Sequence, residues 1–250
     1  MGQERYSPFG IFERQLPDSP ADIAGLVRQM RGIFRFVDAK YPPGIFDDND
    51  ALHTKRLVAM AEGTMGIKGV SLERLTRMLW IHDIPELEAG DIIAPVKAQN
   101  SSAVAEQERR SAVRLLKPDD LALFDDFNQA GRFLKEDDCP SEGVSPEGLV
   151  ANVMDKIDGN MYFHFALARW VSAGVGEREI PSRTALAYTF GQRELFLKHL
   201  KAVEARIPDV VGICRYLLDY QIAYVVGVWN GVVEAKRPLV INNQLESLVV

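Results

Sequence analysis

Apolar residues along this chain recur mostly three and four positions apart, the period of a half-buried α-helix, and the alternation expected of strands is scarce. Asn49 and Asp50 can cap a helix whose apolar positions are Leu52, Leu57, Val58, Ala61 and Met65, and Gly66 stops it. Ser71-Leu-Glu-Arg begins a second helix through Leu72, Leu75, Leu79 and Ile81. Pro85 limits it, because Ile84, as the residue before a proline, is pushed out of the α region. A third helix is expected over 104–116, with Glu106, Glu108, Arg109 and Arg110 on a solvated face, and Pro118-Asp-Asp starts a fourth through Phe127 and Phe133. Residues 135–144 read as a loop. Ser145-Pro146-Glu147 then combines an N-cap hydroxyl, a proline at the first helical position and an acid facing the helix dipole, so a helix should run from there to about Ala173. After a glycine-rich turn at 174–176, Pro181-Ser182 opens another helix to about Arg206, and Pro208 separates it from a last apolar helix through Trp229. No internal repeat or long linker interrupts the series. The pattern predicts one all-α domain over 1–250, a helical bundle whose core lies at about 25–175 and whose helical extension covers about 176–250.

Composition narrows the classes of function. A chain of 250 residues, 47% of them hydrophobic, can bury a core without covalent staples. Its two cysteines, Cys139 and Cys214, form neither a disulfide framework nor a zinc-knuckle spacing, which suits a reducing cytoplasm. The longest nearly apolar run, at 222–233, contains Asn230 and falls short of the ~20 residues of a membrane span. The first ten residues include Glu4 and lack the apolar core of a secretory signal. With 29 Lys+Arg against 35 Asp+Glu the net charge is −6, so a broad basic face for polymeric nucleic acid is not expected, whereas a small anion held by a few local cations is.

The chain has four histidines, and two of them sit in a pattern. The segment HTKRLVAMA begins at His53, WIHDIPELEAGDIIAPVK runs from Trp80 to Lys97, and NVMDKID runs from Asn152 to Asp158. The order His, His-Asp, Asp resembles the HD-domain superfamily of metal-dependent phosphohydrolases. Within that superfamily, H-D-x-x-E followed five residues later by Asp in a G-D-[IL]-x-x-P-V-K run is similar to the 5'-deoxynucleotidase-like branch. The resemblance implies an HD-domain helical bundle with His53, His82, Asp83 and Asp155 as ligands to one divalent metal, drawn from three helices. Two imidazoles and two carboxylates suit Mn, Co, Fe or Zn, and suit Mg less well. Such an ion lowers the pKa of a bound water from about 15.7 toward ~7 and polarises a phosphoryl oxygen. The family pattern further implies Glu86 and Asp91 as the groups that orient or deprotonate the attacking water and protonate the leaving alkoxide, with the two roles undivided between them. Arginines before the first ligand and a lysine near the second motif bind phosphate in the family. Arg31, Arg35, Arg56 and Lys97 are the candidates here; Arg35, in a segment that matches the family loosely, and Lys97, which follows Pro-Val at the family position, are the two assigned to phosphate.

Other readings stand beside these. Asp158, three residues after Asp155, is read as structural, Glu88 as exposed, and His164 and His199 as helix-core residues. Leu52 and Thr54 replace the acid and serine that commonly flank the first ligand in the family, so the substrate pocket should differ. The stripe Tyr216, Tyr220, Tyr224 and Trp229 fits core or a homodimer interface. The expected activity is hydrolysis of a small phosphorylated substrate, a (deoxy)nucleoside 5'-monophosphate, to nucleoside and phosphate. The alternatives are hydrolysis of nucleoside triphosphates or guanosine tetraphosphate by the same ligands, and a non-catalytic helical module with a structural metal. A diiron oxygenase centre is disfavoured because no histidine lies between His82 and His164.

Overall fold

The computed structural model describes residues 16–35, 48–63, 68–92, 101–135, 143–172, 200–201, 203–204 and 206–207. These are α1 (Ala24–Gln29), a 3-10 turn (Met30–Gly32), α2 (Asp50–Gly63), α3 (Leu72–Ile81), α4 (Glu86–Ala89), α5 (Ser101–Leu115), α6 (Pro118–Lys135) and α7 (Pro146–Ser172). Among the described residues the only strand-like pairing is an isolated antiparallel bridge between Phe34 and Asn49. An all-α bundle follows, as the apolar periodicity predicts.

Helix α3 is the central member, packed against α2, α6 and α7. It starts where Ser71 Oγ accepts from the Arg74 N–H at 3.3 Å, and Glu147 Oε1, from the first turn of α7, accepts the Ser71 N–H at 2.7 Å. Its buried face carries Leu75, Met78, Leu79, Trp80 and Ile81. These join Leu57 and Val58 of α2 and Leu149, Val150, Val153 and Ile157 of α7 in one core. Leu200, Val203 and Ile207, from the region expected as the C-terminal extension, belong to the same core, and the Arg206 guanidinium lies 5.0 Å from the centre of the Phe133 ring.

Helix α7 begins as the sequence predicts. The Ser145 hydroxyl accepts the Gly148 N–H at 2.9 Å and donates to Asp126 Oδ2 at 2.7 Å, with Pro146 at the first helical position. Its approach to α6 is close because of two glycines. A Cβ on Gly131 would stand 2.7 Å from Asn152 Oδ1, and one on Gly148 would stand 3.0 Å from the Ala130 Cβ. Asn152 fixes the contact further by donating to the Phe127 and Gly148 carbonyls at 2.7 and 3.0 Å. This packing sets the height of Asp155 in the bundle.

Two boundaries differ from the periodicity. Helix α3 ends at Ile81, the last apolar position assigned to it, and residues 82–85 form a turn in which the Glu86 N–H reaches the Asp83 carbonyl at 3.0 Å. Pro85 not only ends one helix but opens another, since its fixed φ suits a first turn, so Glu86 begins the short α4 rather than lying in a turn. Gly90, at φ 75, ends α4, a conformation that favours glycine. Helix α5 starts three residues before the expected Val104. Lys97, His199, Gly66, the turn at 174–176, Cys139, Cys214, the aromatic stripe at 216–229 and the greater part of the two expected C-terminal helices lie outside the described residues.

Candidate active site

His53 and His82 come from different elements but are presented in the same way. His53 sits in the first turn of α2, which Asn49 caps by accepting the Leu52 N–H at 3.1 Å. Its Nδ1 meets Asp158 Oδ2 at 2.7 Å. His82 caps the C-terminus of α3, and its Nδ1 meets the Leu79 carbonyl at 2.8 Å. A carbonyl and an ionised carboxylate only accept, so both Nδ1 atoms carry a proton, which makes the Nε2 atoms the positions left to hold an ion. The rings lie 5.5 Å apart, both are buried, and neither Nε2 has a hydrogen-bond partner.

The carboxylates complete the group. His53 Nε2, His82 Nε2 and an Asp155 oxygen lie within 4.8 Å of one another. Asp155 Oδ1 stands 3.2 Å from His53 Nε2 without hydrogen-bond alignment, and its Oδ2 pairs with Lys156 Nζ at 2.6 Å. Asp83 Oδ2 lies 3.2 Å from His82 Nε2 and 3.6 Å from His53 Nε2. It also accepts from Arg35 Nη1 at 3.3 Å. Three of the four residues expected to bind a metal, His53, His82 and Asp155, therefore meet where α2, α7 and the end of α3 converge, and Asp83 lies beside both imidazoles.

Electrostatics there are dominated by buried acids. Burial would raise Asp83, but His82, His53 and Arg35 outweigh it and hold the carboxyl below its usual range. Burial acts against Asp155 likewise, and Lys156, His53 and His82 keep it well below the usual carboxylate range. For His53, burial and Arg35 favour the neutral ring, yet Asp155 and Asp158 prevail and raise its pKa to about 9. Asp50 goes the other way. Burial and the charges of Asp83, Glu86 and Asp91, partly offset by Arg35, push it up to about 10.

Glu86 is buried and Asp91 partly exposed, and both lie near enough to Asp50 for their charges to act on it. Arg35 reaches the group as expected, whereas Arg31 is exposed on the 3-10 turn. Arg56 is not available for phosphate. It donates to both oxygens of Asp48 at 2.8 and 2.7 Å and to both oxygens of Asp158 at 2.8 and 2.7 Å, within the fold. Asp158 is structural in a specific sense, since it holds the back of His53. Glu88 pairs with Arg114 at the surface.

Two buried residues of the site escaped the sequence reading. Asp48 and Asp50 lie at 1% and 0% exposure, and Asp50 is three positions before His53, on the same face of the helix it opens. The acidic run before His53 was the available signal, though an acid at a helix start is also a common cap.

The donor set fits a divalent transition metal. Two imidazole nitrogens without partners, buried beside two ionised carboxylates, are an unmet demand for a cation, and the mixed nitrogen and oxygen set matches Mn, Fe, Co or Zn.

No curated protein matches the chain. In structure it is similar to a predicted metal-dependent phosphohydrolase from Magnetospirillum magnetotacticum MS-1, at 22% identity over 81% of this chain and 93% of that one, with a TM-score of 0.49. Among the described residues no helix is long and apolar enough to cross a membrane. Residues 45–164, the stretch that carries His53, His82, Asp83, Glu86, Asp91 and Asp155, match the family described as HD domain, and the architecture of the described residues around them is all-α.

Proposed function

We propose that the protein is a metal-dependent phosphohydrolase that converts (deoxy)nucleoside 5'-monophosphates to nucleoside and phosphate. The observation that carries this reading is the meeting of two buried, partnerless Nε2 atoms with Asp155 within 4.8 Å. His53, His82, Asp83 and Asp155 hold the ion. Once bound, it supplies Lewis acidity to the phosphoryl oxygen and to the attacking water.

The chain's own groups do the rest. Arg35, and Lys97 at the matching family position, take the negative charge of the phosphoryl group. Of Glu86 and Asp91, one accepts the proton of the attacking water and the other donates a proton to the departing 5'-oxygen, so that one P–O bond forms as the ester P–O bond breaks. The HD domain match supports the reaction class, and the GDIIAPVK run from Gly90 to Lys97 supports the monophosphate substrate. A net charge of −6 favours a small substrate over a nucleic acid polymer, and the cysteine usage fits work in the cytoplasm.

The test is phosphate release from a panel of nucleoside mono- and triphosphates by metal-stripped protein reloaded separately with Mn, Co, Zn and Mg. Release that needs a transition metal and is confined to monophosphates is the expected result. Stoichiometric metal binding without release from any nucleotide would overturn the reading.

A further inference from the structure

Arg35 is a shared residue. Its Nη1 donates to Asp83 Oδ2 at 3.3 Å and lies 3.6 Å from Asp50 Oδ1, while its Nε is 3.9 Å from Asp48 Oδ2. The backbone beneath it is pinned. The Arg35 N–H donates to the Asp48 carbonyl and the Asp50 N–H to the Ile33 carbonyl, each at 3.1 Å, on either side of the Phe34–Asn49 bridge. The guanidinium can therefore change partners only by turning its own side chain. Gly159 of α7 lies beside it, where a Cβ would stand in ordinary contact with Arg35 Nη2 at 3.7 Å.

The oxygen that Arg35 holds now is the oxygen a metal needs. Asp83 Oδ2 faces both imidazole Nε2 atoms, and a lone pair given to an ion in that position is withdrawn from the guanidinium. Asp50 is the neighbouring acceptor. It is fully buried, and neither of its oxygens has a hydrogen-bond partner, an unusual state for a buried carboxyl.

We infer that Asp50 is a positioning residue, to which Arg35 passes when a metal takes Asp83, so that one edge of the guanidinium is anchored and the other faces the substrate's phosphoryl group. The inference rests on the phosphohydrolase reading above. An arginine has donors for both tasks, because its planar fork binds one acceptor along each edge. Asp50 does not touch the substrate in this arrangement. It sets where the arginine stands.

The test is a double-mutant cycle on the full, manganese-loaded protein, read by calorimetric titration with inorganic phosphate. The four proteins are wild type, Asp50→Asn, Arg35→Gln and the double variant, and manganese affinity is measured on each. Asp50→Asn should weaken phosphate binding about tenfold while leaving manganese affinity unchanged, and should have no further effect once Arg35 is Gln. In turnover the same variant should raise KM with little change in kcat. Phosphate binding at wild-type strength in Asp50→Asn would overturn the inference. Tighter binding would overturn it too, since that is the outcome if only a nearby negative charge had been removed. Full additivity with Arg35→Gln would show that Asp50 does not act through the arginine. Should Asp50→Asn fail to fold, Arg35→Lys serves instead. Its single ammonium cannot span both acceptors, so phosphate affinity must fall, and an unchanged affinity refutes the inference. If the manganese-loaded wild type binds no phosphate, the phosphohydrolase reading falls together with this one. If it binds phosphate and Asp50→Asn is silent, only the role of Asp50 falls.

Discussion

Replacing Asp158 by Asn tests whether the residue behind His53 governs the metal site. Asp158 receives three donors: His53 Nδ1 at 2.7 Å on Oδ2, Arg56 Nη2 at 2.7 Å on Oδ2, and Arg56 Nε at 2.8 Å on Oδ1. An amide has one acceptor oxygen, so in Asp158→Asn an N–H group must face either His53 or Arg56, donor against donor. The loss divides into two parts. Carboxylates that orient a metal-binding histidine are worth about 10- to 100-fold in metal affinity. Arg56 keeps both of its bonds to Asp48, so the stability cost should fall at or below the low end of the ~3–5 kcal/mol for breaking a buried ion pair outright. The assay is cobalt or zinc titration of metal-stripped wild type and Asp158→Asn, with thermal unfolding of both measured without metal. The expected result is a drop in metal affinity of at least tenfold in a variant that still folds. Wild-type affinity in a folded Asp158→Asn would refute the claim that this carboxylate prepares His53.

Three further predictions concern the same site and its frame. In the metal-free protein, His53 binds its proton more tightly when folded, so its contribution to stability is complete below its ordinary value of 6.5 and is lost as the pH rises through about 9. Since an incoming ion must displace that proton, apparent metal affinity should climb about tenfold per pH unit until the ring is neutral, and a flat profile from pH 6.5 to 9 would contradict this. Gly131→Ala should destabilise the protein by about 1–3 kcal/mol, because the new Cβ meets an Asn152 side chain already tied by two hydrogen bonds. An unchanged denaturation midpoint would show that α6 and α7 have slack. Asp91→Asn should retain metal and lower kcat by about 10²–10⁴, the usual worth of a positioned acid or base, whereas Asp83→Ala should lose metal and turnover together. An unaltered rate in Asp91→Asn would remove Asp91 from the mechanism.

What the sequence made legible was local. The caps at Asn49, Ser71 and Ser145 are short-range hydrogen bonds written in adjacent residues, and each helix begins where its cap predicts. Helix α3 ends at Ile81, the last of its apolar positions, but periodicity cannot register that Pro85 opens a new turn and with it α4. The residues expected to hold a metal came from the order of residue types and the family it resembles, and the structure groups His53, His82 and Asp155 with Asp83 beside the two imidazoles. Their supports did not come from that order. The bonds from Asp158 to His53 and Arg56 span 105 and 102 positions, and no rule of spacing joins residues so far apart. Arg56 shows the limit most clearly. On the sequence it is a candidate phosphate ligand on an amphipathic helix. In the fold, two aspartates enclose it.

That enclosure explains how an acidic site survives without its ion. Asp48, Asp50, Asp83, Glu86 and Asp158 are all buried within a small volume, and five negative charges so placed would drive α2, α4 and α7 apart. Three devices oppose this. Arg56 neutralises Asp48 and Asp158 together, and although burial works against its charge, those two carboxylates hold its own pKa well above the ordinary value. A proton on His53 answers Asp155 and Asp158. Asp50 holds its own proton, which leaves Arg35 to balance Asp83. Of the three, only the Arg56 bridge is independent of the metal, because an ion at the Nε2 atoms displaces the His53 proton and competes with Arg35 for Asp83. The bridge therefore belongs to the fold, and the proton on His53 and Arg35 at Asp83 hold places that an ion would take. A site arranged in this way can exchange cation for cation with little movement of the helices, which is what binding a metal in a preformed bundle requires.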